Sequence, residues 1–223
     1  MLKLAVFDLD GTLKQVRDPY VYLHEHLGVA EEGNAIIAAG MAGQLPYEEW
    51  LRLDAQLWRG TPRVVVEQLL WADPYVPGAR ETVKALQSRG VQVAIISTGL
   101  LLHAEMVAEE LGIGSVFGNE IFFTGEGSGA VVSGEVRAHV SVYGKGDVMA
   151  QLQAELDVAP AECLAVGDSR GDLPLFERAA VSVALNPNCS EVLDFADIVL
   201  PELDLRPLLA HLYIHAPHLW PWP

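Results

Sequence analysis

Acidic side chains follow the first apolar run of the sequence at a spacing that could support chemistry. Asp8 and Asp10 come directly after the run Leu4 to Phe7, and Gly11 beside them allows the chain to turn. Two carboxylates this close repel each other unless a cation or a shared proton compensates for their charges. The pair therefore points to nucleophilic or acid–base chemistry at a strand end, although alone such a pair is more often a turn or a helix N-cap.

A hydroxyl-bearing segment follows a second apolar run, Val91 to Ile96. Ser97 offers a hydroxyl, and Thr98 and Gly99 lead into a predicted helix. Backbone N–H groups at a helix N-terminus form an anion-binding site without any basic side chain. The same residues could serve as a simple N-cap, so this segment alone leaves both interpretations open.

A lysine and a second acidic pair complete the set. Lys145 lies in the segment Gly144-Lys-Gly-Asp147, before a predicted helix, where a lone lysine is usually a solvated surface charge. Asp168 and Asp172 follow the apolar run Cys163 to Val166 and could bind a hard cation, because Mg²⁺ favours carboxylates, waters and phosphate oxygens. The joint pattern carries more weight than its parts, since each group falls at the predicted end of a strand or start of a helix.

The elements that must position these groups alternate between strands and helices. Continuous apolar runs predict buried strands over Leu4–Phe7, Val91–Ile96, Cys163–Val166 and Val181–Leu185. Helical patterns lie between them over Ala79–Arg89, Leu100–Leu111 and Gly146–Asp157. This alternation predicts an α/β fold with a mostly parallel sheet, in which ligands bind at the carboxyl ends of the strands.

Two segments depart from the alternation. Residues 14–76 contain no strand-like run but several helical patterns, which predicts a small helical domain, the cap, inserted into a core of residues 1–13 and 77–223. Glycines and Ser128 over residues 124–134 predict a hairpin or a loop excursion.

Composition narrows the function. A chain of 223 residues, 51% of them hydrophobic, is long enough for one full core and a small accessory domain. Its net charge of −16 makes a nucleic-acid partner a poor expectation, because a phosphate backbone would be repelled over most of the surface. No run approaches the roughly 20 apolar residues that span a bilayer, the first apolar run is too short for a signal peptide, and the two cysteines form no disulfide framework. We therefore expect no membrane partner and a cytoplasmic location.

Together the motifs resemble those of the haloacid-dehalogenase (HAD) superfamily, over essentially the whole chain. The resemblance is carried by Asp8-Leu-Asp-Gly-Thr12, Ser97, Lys145 and Asp168 to Asp172, and it implies a Rossmann-like, mostly parallel sheet with helices on both faces and a helical cap. Within the superfamily the chain is similar to the phosphoserine-phosphatase branch, through Val93 to Gly99, Asn119 with the glycine-rich excursion after it, Gly134 to Val136, Gly144 to Asp147 and the cap arginine Arg52.

Two positions depart from that branch. Arg17, with Asp18 beside it, stands where the branch carries a cap glutamate that binds the substrate's amino group, and Gly171 replaces an asparagine. Arg17 and Arg52 together would suit a substrate with an additional anionic group, whereas a solvated Arg17 without a role is equally compatible with the sequence.

The resemblance implies a Mg²⁺-dependent phosphatase that acts on a small phosphorylated metabolite. Asp8 is then the nucleophile and Asp10 the general acid and base, with Lys145 offsetting charge. The implied phosphate-binding groups are Ser97, Thr98 and Gly99, and the implied Mg²⁺ ligands are Asp8, the backbone carbonyl of Asp10, Asp168 and Asp172.

Alternatives stay open at this point. The same fold could act on phosphoserine or on another phosphomonoester such as a sugar, alcohol or methylthiopentenyl phosphate, and less favoured interpretations are a mutase or a non-catalytic phosphate-sensing protein. We expect a monomer or a homodimer, and a proline- and tryptophan-rich tail over 215–223 that packs against its own subunit. Five histidines show no metal spacing and receive no role: His24, His26, His103, His139 and His211.

Overall fold

The computed structural model describes residues 1–221, which form a single seven-stranded sheet in the order β4-β3-β2-β1-β5-β6-β7. Neighbouring strands are parallel except for β4, which pairs antiparallel with β3. The predicted mostly parallel α/β sheet is therefore confirmed. The strands are β1 (Leu4–Phe7), β2 (Gln92–Leu100), β3 (Ser115–Thr124), β4 (Val131–Arg137), β5 (Cys163–Gly167), β6 (Val181–Leu185) and β7 (Ile198–Leu200).

Ten helices accompany the sheet within the described residues. The first four follow β1 without an intervening strand, over the segment predicted to be a helical cap. They are α1 (Pro19–His26), α2 (Ala30–Met41), α3 (Tyr47–Leu57) and α4 (Arg63–Ala72). The others are α5 (Ala79–Ser88), α6 (Leu101–Leu111), α7 (Lys145–Leu156), α8 (Leu173–Phe176), α9 (Ser190–Phe195) and α10 (Leu208–His215).

The four predicted strands are present, but the sequence patterns missed β3, β4 and β7. The glycine-rich stretch forms the turn of the β3–β4 hairpin, as one of its two interpretations predicted. β2 also continues further than expected, through Ser97 to Leu100, where a register shift precedes the pairing of Leu100 with Asn119. Helix α6 consequently begins at Leu101, so Ser97 belongs to a strand end and not to a helix cap.

The core lies on both faces of the sheet, which explains why the central strands are continuous apolar runs. Along β1, Ala5 and Phe7 pack in a cluster with residues of α5, α6 and α10, whereas Leu4 and Val6 pack with residues of α7, α8 and α9. All four residues are fully buried. Helices on both faces thus fix the central strands, and with them the strand ends that carry the polar groups.

The helices of the predicted cap share a third cluster with the hairpin side of the sheet. Leu23, Trp58 and Leu70 of this segment pack with Leu102 of α6 and Val132 of β4. The helices therefore lie against the β3–β4 hairpin at the same edge as the ends of β1 and β2. The division into a core and a cap domain stays a prediction.

The described part of the tail packs against its own chain. Ala216, Leu219 and Trp220 are buried in the same cluster as α5 and α10, and the Leu2 backbone N–H donates to the Leu219 carbonyl at 3.0 Å. Arg89 lies over the Trp220 ring, 4.0 Å from its centroid. The remaining residues of the predicted tail, Trp222 and Pro223, lie outside the described residues. Within residues 1–221 no helix is both long and apolar enough to cross a membrane.

Candidate active site

The carboxyl ends of three neighbouring parallel strands bring the candidate residues together. In register, Phe7 of β1 pairs with Ile95 of β2 on one side and with Val166 of β5 on the other. The residues that follow each strand therefore share one edge of the sheet, and the Asp8 backbone N–H donates to the Val166 carbonyl at 2.9 Å. Parallel register is the physical reason why motifs far apart in sequence meet here.

Lys145 is the charged centre of this edge. It is the first residue of α7 and is 1% exposed, and its Nζ donates to Asp8 Oδ1 at 2.7 Å and to Asp172 Oδ1 at 2.6 Å. Burial lowers the pKa of Lys145, but the nearby carboxylates of Asp172 and Asp8 outweigh it and hold that pKa above its usual value. The lysine is thus a buried, charged partner of two carboxylates and not a solvated surface charge.

Asp172 orders the loop after β5. Its Oδ2 accepts hydrogen bonds from the backbone N–H groups of Asp168 and Ser169, both at 3.0 Å, and from the Ser169 hydroxyl at 3.1 Å. A Cβ on Gly167 would lie 2.3 Å from the Asp172 carboxyl carbon, so only glycine lets the strand end approach this side chain so closely. The loop can therefore hold Asp168 and Asp172 side by side.

Three buried carboxylates form a group that could hold a metal ion. Asp8, Asp168 and Asp172 each offer an oxygen, and these oxygens lie within 4.8 Å of one another. Burial, followed by the charge of Asp172, raises the pKa of Asp8 well above its usual value and that of Asp168 to about 7. A cluster of hard oxygen ligands whose charges repel one another fits Mg²⁺, because the ion would compensate for the repulsion.

Asp10 faces the same edge but makes different contacts. Its Oδ2 accepts a hydrogen bond from the Ser97 hydroxyl at 2.9 Å, and the same hydroxyl oxygen accepts one from the Gly99 backbone N–H at 2.8 Å. Its Oδ1 lies 3.5 Å from Nδ1 of His103, a buried residue to which the sequence assigned no role. The side chain of Asp10 is outside the carboxylate group described above, and its backbone carbonyl as a metal ligand stays a prediction.

Arg17 reaches the site from the loop between β1 and α1. Its Nη1 donates to Asp168 Oδ2 at 2.9 Å and its Nη2 to the Asn186 carbonyl at 2.6 Å. Gly11, with φ of +82°, makes room for this contact, since a Cβ there would lie 2.6 Å from Asp168 Oδ2. Arg17 is therefore an ion-pair partner at the site, and not the solvated residue that was the alternative.

Arg52 is the one predicted site residue that the structure places elsewhere. Its guanidinium donates two hydrogen bonds to Glu49 one turn earlier on α3, at 2.8 and 2.6 Å. It lines a separate cavity beside Glu135 and Arg137. The bidentate contact with a carboxylate at i, i+3 directs the side chain along its own helix, and a substrate-binding role of Arg52 stays a prediction.

A small cavity of about 130 Å³ opens onto the acidic edge. Seven of the predicted site residues line it, and these are Asp8, Asp10, Arg17, Thr98, Gly99, Lys145 and Asp168. The other lining residues, which the sequence did not single out for the site, are Asp18, Pro19, Tyr20, Ser169 and Asn188. Residues from the predicted cap and from the strand ends thus share one cavity.

The Asn119 side chain connects Thr98, which lines this cavity, with the segment before α7. Its Nδ2 donates to the Thr98 carbonyl at 2.8 Å, and its Oδ1 accepts from the backbone N–H groups of His139 and Val140 at 2.9 and 3.0 Å. The hydroxyl of Tyr47 also donates to the Thr98 carbonyl at 3.3 Å. The end of β2 and the segment that leads to α7 are tied together through one buried amide.

The sheet and the acidic site at its strand ends define an α/β protein with a carboxylate site. Comparisons with known proteins then identify the family to which it belongs. The model of the haloacid dehalogenase-like hydrolase family matches residues 5–177. The phosphoserine phosphatase of Wolinella succinogenes is 34% identical over 215 residues, covering 95% of this chain and 100% of that protein. The phosphoserine phosphatase of Methanocaldococcus jannaschii is 29% identical over 212 residues, covering 94% of this chain and 97% of that protein.

Solved structures agree with the sequence relatives. A phospho-aspartyl intermediate analogue of phosphoserine phosphatase superposes with a TM-score of 0.78 at 28% identity, covering 94% of this chain and 98% of that one. A substrate-bound phosphoserine phosphatase gives a TM-score of 0.80 at 27% identity, covering 95% and 98%. The chain belongs to the haloacid dehalogenase-like hydrolases. Within that family it is a phosphoric monoester hydrolase of the phosphoserine-phosphatase-like branch.

Proposed function

We propose that the chain is a Mg²⁺-dependent phosphatase that hydrolyses a small phosphomonoester with Asp8 as the nucleophile. The observation that carries this proposal is the buried contact of Asp8 with Lys145 at 2.7 Å, beside Asp10 in one small cavity. A carboxylate held by a fixed cation next to a second carboxyl has the arrangement needed for two successive displacements at phosphorus.

In the first displacement a carboxylate oxygen of Asp8 attacks phosphorus in line with the leaving oxygen. The P–O bond to the alcohol breaks, and the Asp10 carboxyl gives its proton to the departing alkoxide. The products are the free alcohol, an aspartyl-phosphate at Asp8 and an Asp10 carboxylate. Ser97 stays hydrogen-bonded to Asp10 Oδ2 and so keeps that carboxyl at the cavity.

In the second displacement water attacks the phosphorus of the aspartyl-phosphate. The Asp10 carboxylate removes a proton from that water, and the bond to Asp8 breaks to release inorganic phosphate. Asp8 returns as a carboxylate and Asp10 as a carboxylic acid, so the cycle closes. Lys145 keeps its charge throughout and offsets negative charge on Asp8 and on the phosphoryl oxygens.

Asp8, Asp168 and Asp172 are the side chains that would hold Mg²⁺, with the Asp10 carbonyl as a further ligand. Bound there, the ion would neutralise charge as the anionic phosphate approaches an anionic nucleophile. Asp172 also orders the loop that presents Asp168, through the three hydrogen bonds that its Oδ2 accepts. Thr98 and Gly99 line the cavity with Ser97 beside them, where they would bind a phosphoryl oxygen.

Phosphoserine is the first candidate substrate, because the relatives that align over most of the chain are phosphoserine phosphatases. The second candidate is another small phosphomonoester that carries an additional anionic group. It is favoured by Arg17, whose guanidinium lines the cavity within 2.9 Å of Asp168. In either case the partner is a small phosphorylated metabolite in the cytoplasm, handled by a monomer or a homodimer.

Turnover of p-nitrophenyl phosphate with Mg²⁺ or with EDTA tests the reaction, in the wild type and in Asp8→Asn. We expect turnover that needs the metal and that the substitution abolishes, because an amide cannot serve as the nucleophile. A panel of phosphoserine, phosphoethanolamine, glycerol phosphate and phosphoglycolate then ranks the substrates by charge. A folded wild type that binds Mg²⁺ but turns over none of these esters would favour the mutase or the phosphate-sensing protein instead.

A further inference from the structure

Helix α6 presents one polar residue to the interior beside the candidate active site. Its inward positions recur at helical spacing as His103, Ala104, Val107 and Ala108, and all four are buried. Ala104, Val107 and Ala108 are packed in the apolar cluster around the sheet. His103 is 1% exposed on the same face. A polar ring therefore occupies a buried position at which an apolar side chain would be expected.

The atoms that face each other at this point have no other partners. Within residues 1–221 neither ring nitrogen of His103 has a hydrogen-bond partner, and neither does Asp10 Oδ1. Nδ1 of His103 lies 3.5 Å from that oxygen. Buried polar atoms are costly when unpaired, and hydrogen bonds at catalytic groups are often long until the substrate is bound. Each atom is therefore an available partner of the other, and the second buried carboxylate that interacts with His103 is Asp73, whose Oδ2 also lacks a partner.

We infer that His103 is a positioning residue for Asp10, a role that rests on the phosphatase function proposed above. With the ring proton on Nδ1, His103 donates to Asp10 Oδ1 while the Ser97 hydroxyl donates to Oδ2. Two donors on two different oxygens fix the rotation of the carboxyl group about its terminal torsion, which one donor does not do. The carboxyl is then held in the orientation that delivers its proton to the leaving oxygen.

His103 itself transfers no proton in this scheme. As the P–O bond breaks, the proton moves from the Asp10 carboxyl to the alkoxide oxygen, and both donors continue to hold the carboxylate that remains. Their hydrogen bonds strengthen when Asp10 becomes charged. The same two contacts hold that carboxylate ready to accept a proton from water in the second displacement.

Three substitutions at one position separate positioning from packing. His103→Asn places an amide nitrogen two bonds from Cβ, where the imidazole Nδ1 is, and can keep the donor to Asp10. His103→Gln moves its amide one bond further away, and His103→Leu fills the space without a donor. His24→Leu is the matched control, since His24 is also 1% exposed and also faces a carboxylate, at 3.3 Å from Asp54, but lies in the predicted cap.

The measurement compares kcat/KM for an alkyl phosphate with kcat/KM for p-nitrophenyl phosphate. kcat/KM reports the steps up to the aspartyl-phosphate, and only the alkoxide needs a proton from Asp10 in those steps. We expect His103→Leu and His103→Gln to lower the value for the alkyl ester by about 30-fold and the value for the aryl ester by about threefold or less. His103→Asn should recover most of the loss, and His24→Leu should leave the ratio of the two values unchanged.

Circular dichroism and Mg²⁺ titration calorimetry on each variant check that fold and metal binding persist. If His103→Leu does not fold, the Asn and Gln variants still form the decisive pair. An equal fall for both esters, or an Asn variant no better than the Gln variant, would overturn the positioning role while leaving the phosphatase intact. A wild type that hydrolyses neither ester would instead count against the proposed function.

Discussion

Two cations compensate for the acidic cluster, and they do so from very different surroundings. Lys145 begins a core helix, is 1% exposed, and bridges two carboxylates, Asp8 and Asp172. Arg17 lies in the loop before α1, its side chain is 35% exposed, and it contacts one carboxylate, Asp168, and one carbonyl. One cation is enclosed by its partners, whereas the other stands at the rim of the cavity.

The difference in exposure decides what each cation can do. An enclosed charge pair interacts strongly. Removing one partner destabilises the protein, because the other charge is then buried without compensation. The Arg17 side chain is partly solvated although its partner Asp168 is buried, so water screens this contact more than it screens the contacts of Lys145. We therefore expect Lys145 to belong to the fixed charge balance of the site, and Arg17 to be the group whose partner changes when a substrate enters.

Replacing the enclosed cation should have the largest effect. Lys145→Met keeps most of the side-chain volume but leaves Asp8 and Asp172 facing each other without their shared donor. We expect kcat to fall by about 10³-fold or more, because the fixed positive charge beside the nucleophile is lost. We also expect a loss of about 3 kcal/mol in the free energy of unfolding at neutral pH, measured in urea.

Lys3→Met is the control for removing a lysine. Lys3 pairs with Glu162 at the surface, where its side chain is 54% exposed. Its replacement should leave both kcat and the free energy of unfolding nearly unchanged. A Lys145→Met variant that retains more than a tenth of the wild-type kcat would contradict the view that this charge is fixed in the site.

Removing one carboxylate should weaken metal binding next. Asp168→Asn keeps the shape of the side chain but lowers the charge of the candidate group that also contains Asp8 and Asp172. For the wild type, Mg²⁺ at ten times its Kd should add about 1.4 kcal/mol of stability, which corresponds to roughly 3 to 6 °C in Tm for a protein of this size. At the same Mg²⁺ concentration we expect less than half of that shift in the variant.

Calorimetric titration with Mg²⁺ measures the same difference directly. Glu162→Gln, which removes a surface carboxylate paired with Lys3, should titrate like the wild type. Equal Mg²⁺ affinity in the wild type and in Asp168→Asn would exclude Asp168 from the metal site.

The central sheet was predictable because its strands are buried on both faces. Leu4–Phe7 and Cys163–Val166 are short, continuous apolar runs that stop at turn residues, a pattern typical of a strand covered by helices on each side. β3 was not predicted because Gly118, Asn119 and Glu120 interrupt its apolar pattern. β7 was not predicted because it has only three residues. Strands towards the edges of the sheet carry a weaker pattern, since fewer of their positions face a core.

The site was predictable where a polar side chain directly follows a continuous apolar run of the sequence. Asp8, Ser97 and Asp168 had to meet once the strands were parallel neighbours. His103 was not found, because nothing in its own helix shows that its inward face meets Asp10. Arg52 was placed by its position in a motif, but the local contact with Glu49 decides where its guanidinium points.

In the presence of EDTA, the free energy of unfolding should depend on pH, because the buried carboxylates of the site are then not compensated by a metal ion. Burial and the charge of Asp172 raise the pKa of Asp168 to about 7, so the folded protein binds this proton more tightly than the unfolded chain does. The resulting stability is fully present at low pH, below the usual value of 3.8, and is lost as the pH rises through about 7. The wild type should therefore lose more stability between pH 5.5 and pH 8 than Asp168→Asn, which cannot ionise.

The expected difference between the two proteins is about 1 kcal/mol or more, measured as the free energy of unfolding in urea at both pH values. Groups that do not interact with Asp168 cancel in this comparison, whereas Asp8 does not, because the charge of Asp168 helps to raise its pKa. If the wild type instead gained stability relative to the variant as the pH rose, Asp168 would be stabilised as a carboxylate, and Arg17 would outweigh burial at this position.

The rim cation should produce the smallest effect, and one that depends on the substrate. Arg17→Gln removes the charge at the cavity wall but leaves Lys145, Asp8 and Asp172 untouched. We expect KM for phosphoglycolate, which carries an extra carboxylate, to rise about five- to tenfold, because a charge-assisted hydrogen bond is lost. KM for glycerol phosphate, which has no second charged group, should change by less than about twofold, since a rim charge contributes little to binding without a direct partner.

Arg17→Lys refines this test, because it keeps the charge but not the planar fork that can bind a carboxylate with two parallel hydrogen bonds. An intermediate KM for phosphoglycolate in this variant would indicate that geometry contributes beyond charge. Arg63→Gln, which removes an exposed arginine paired with Glu67 on α4, is the control and should behave like the wild type. Equal changes for both esters in Arg17→Gln would mean that the guanidinium acts only through Asp168, so that both cations would then belong to the fixed charge balance.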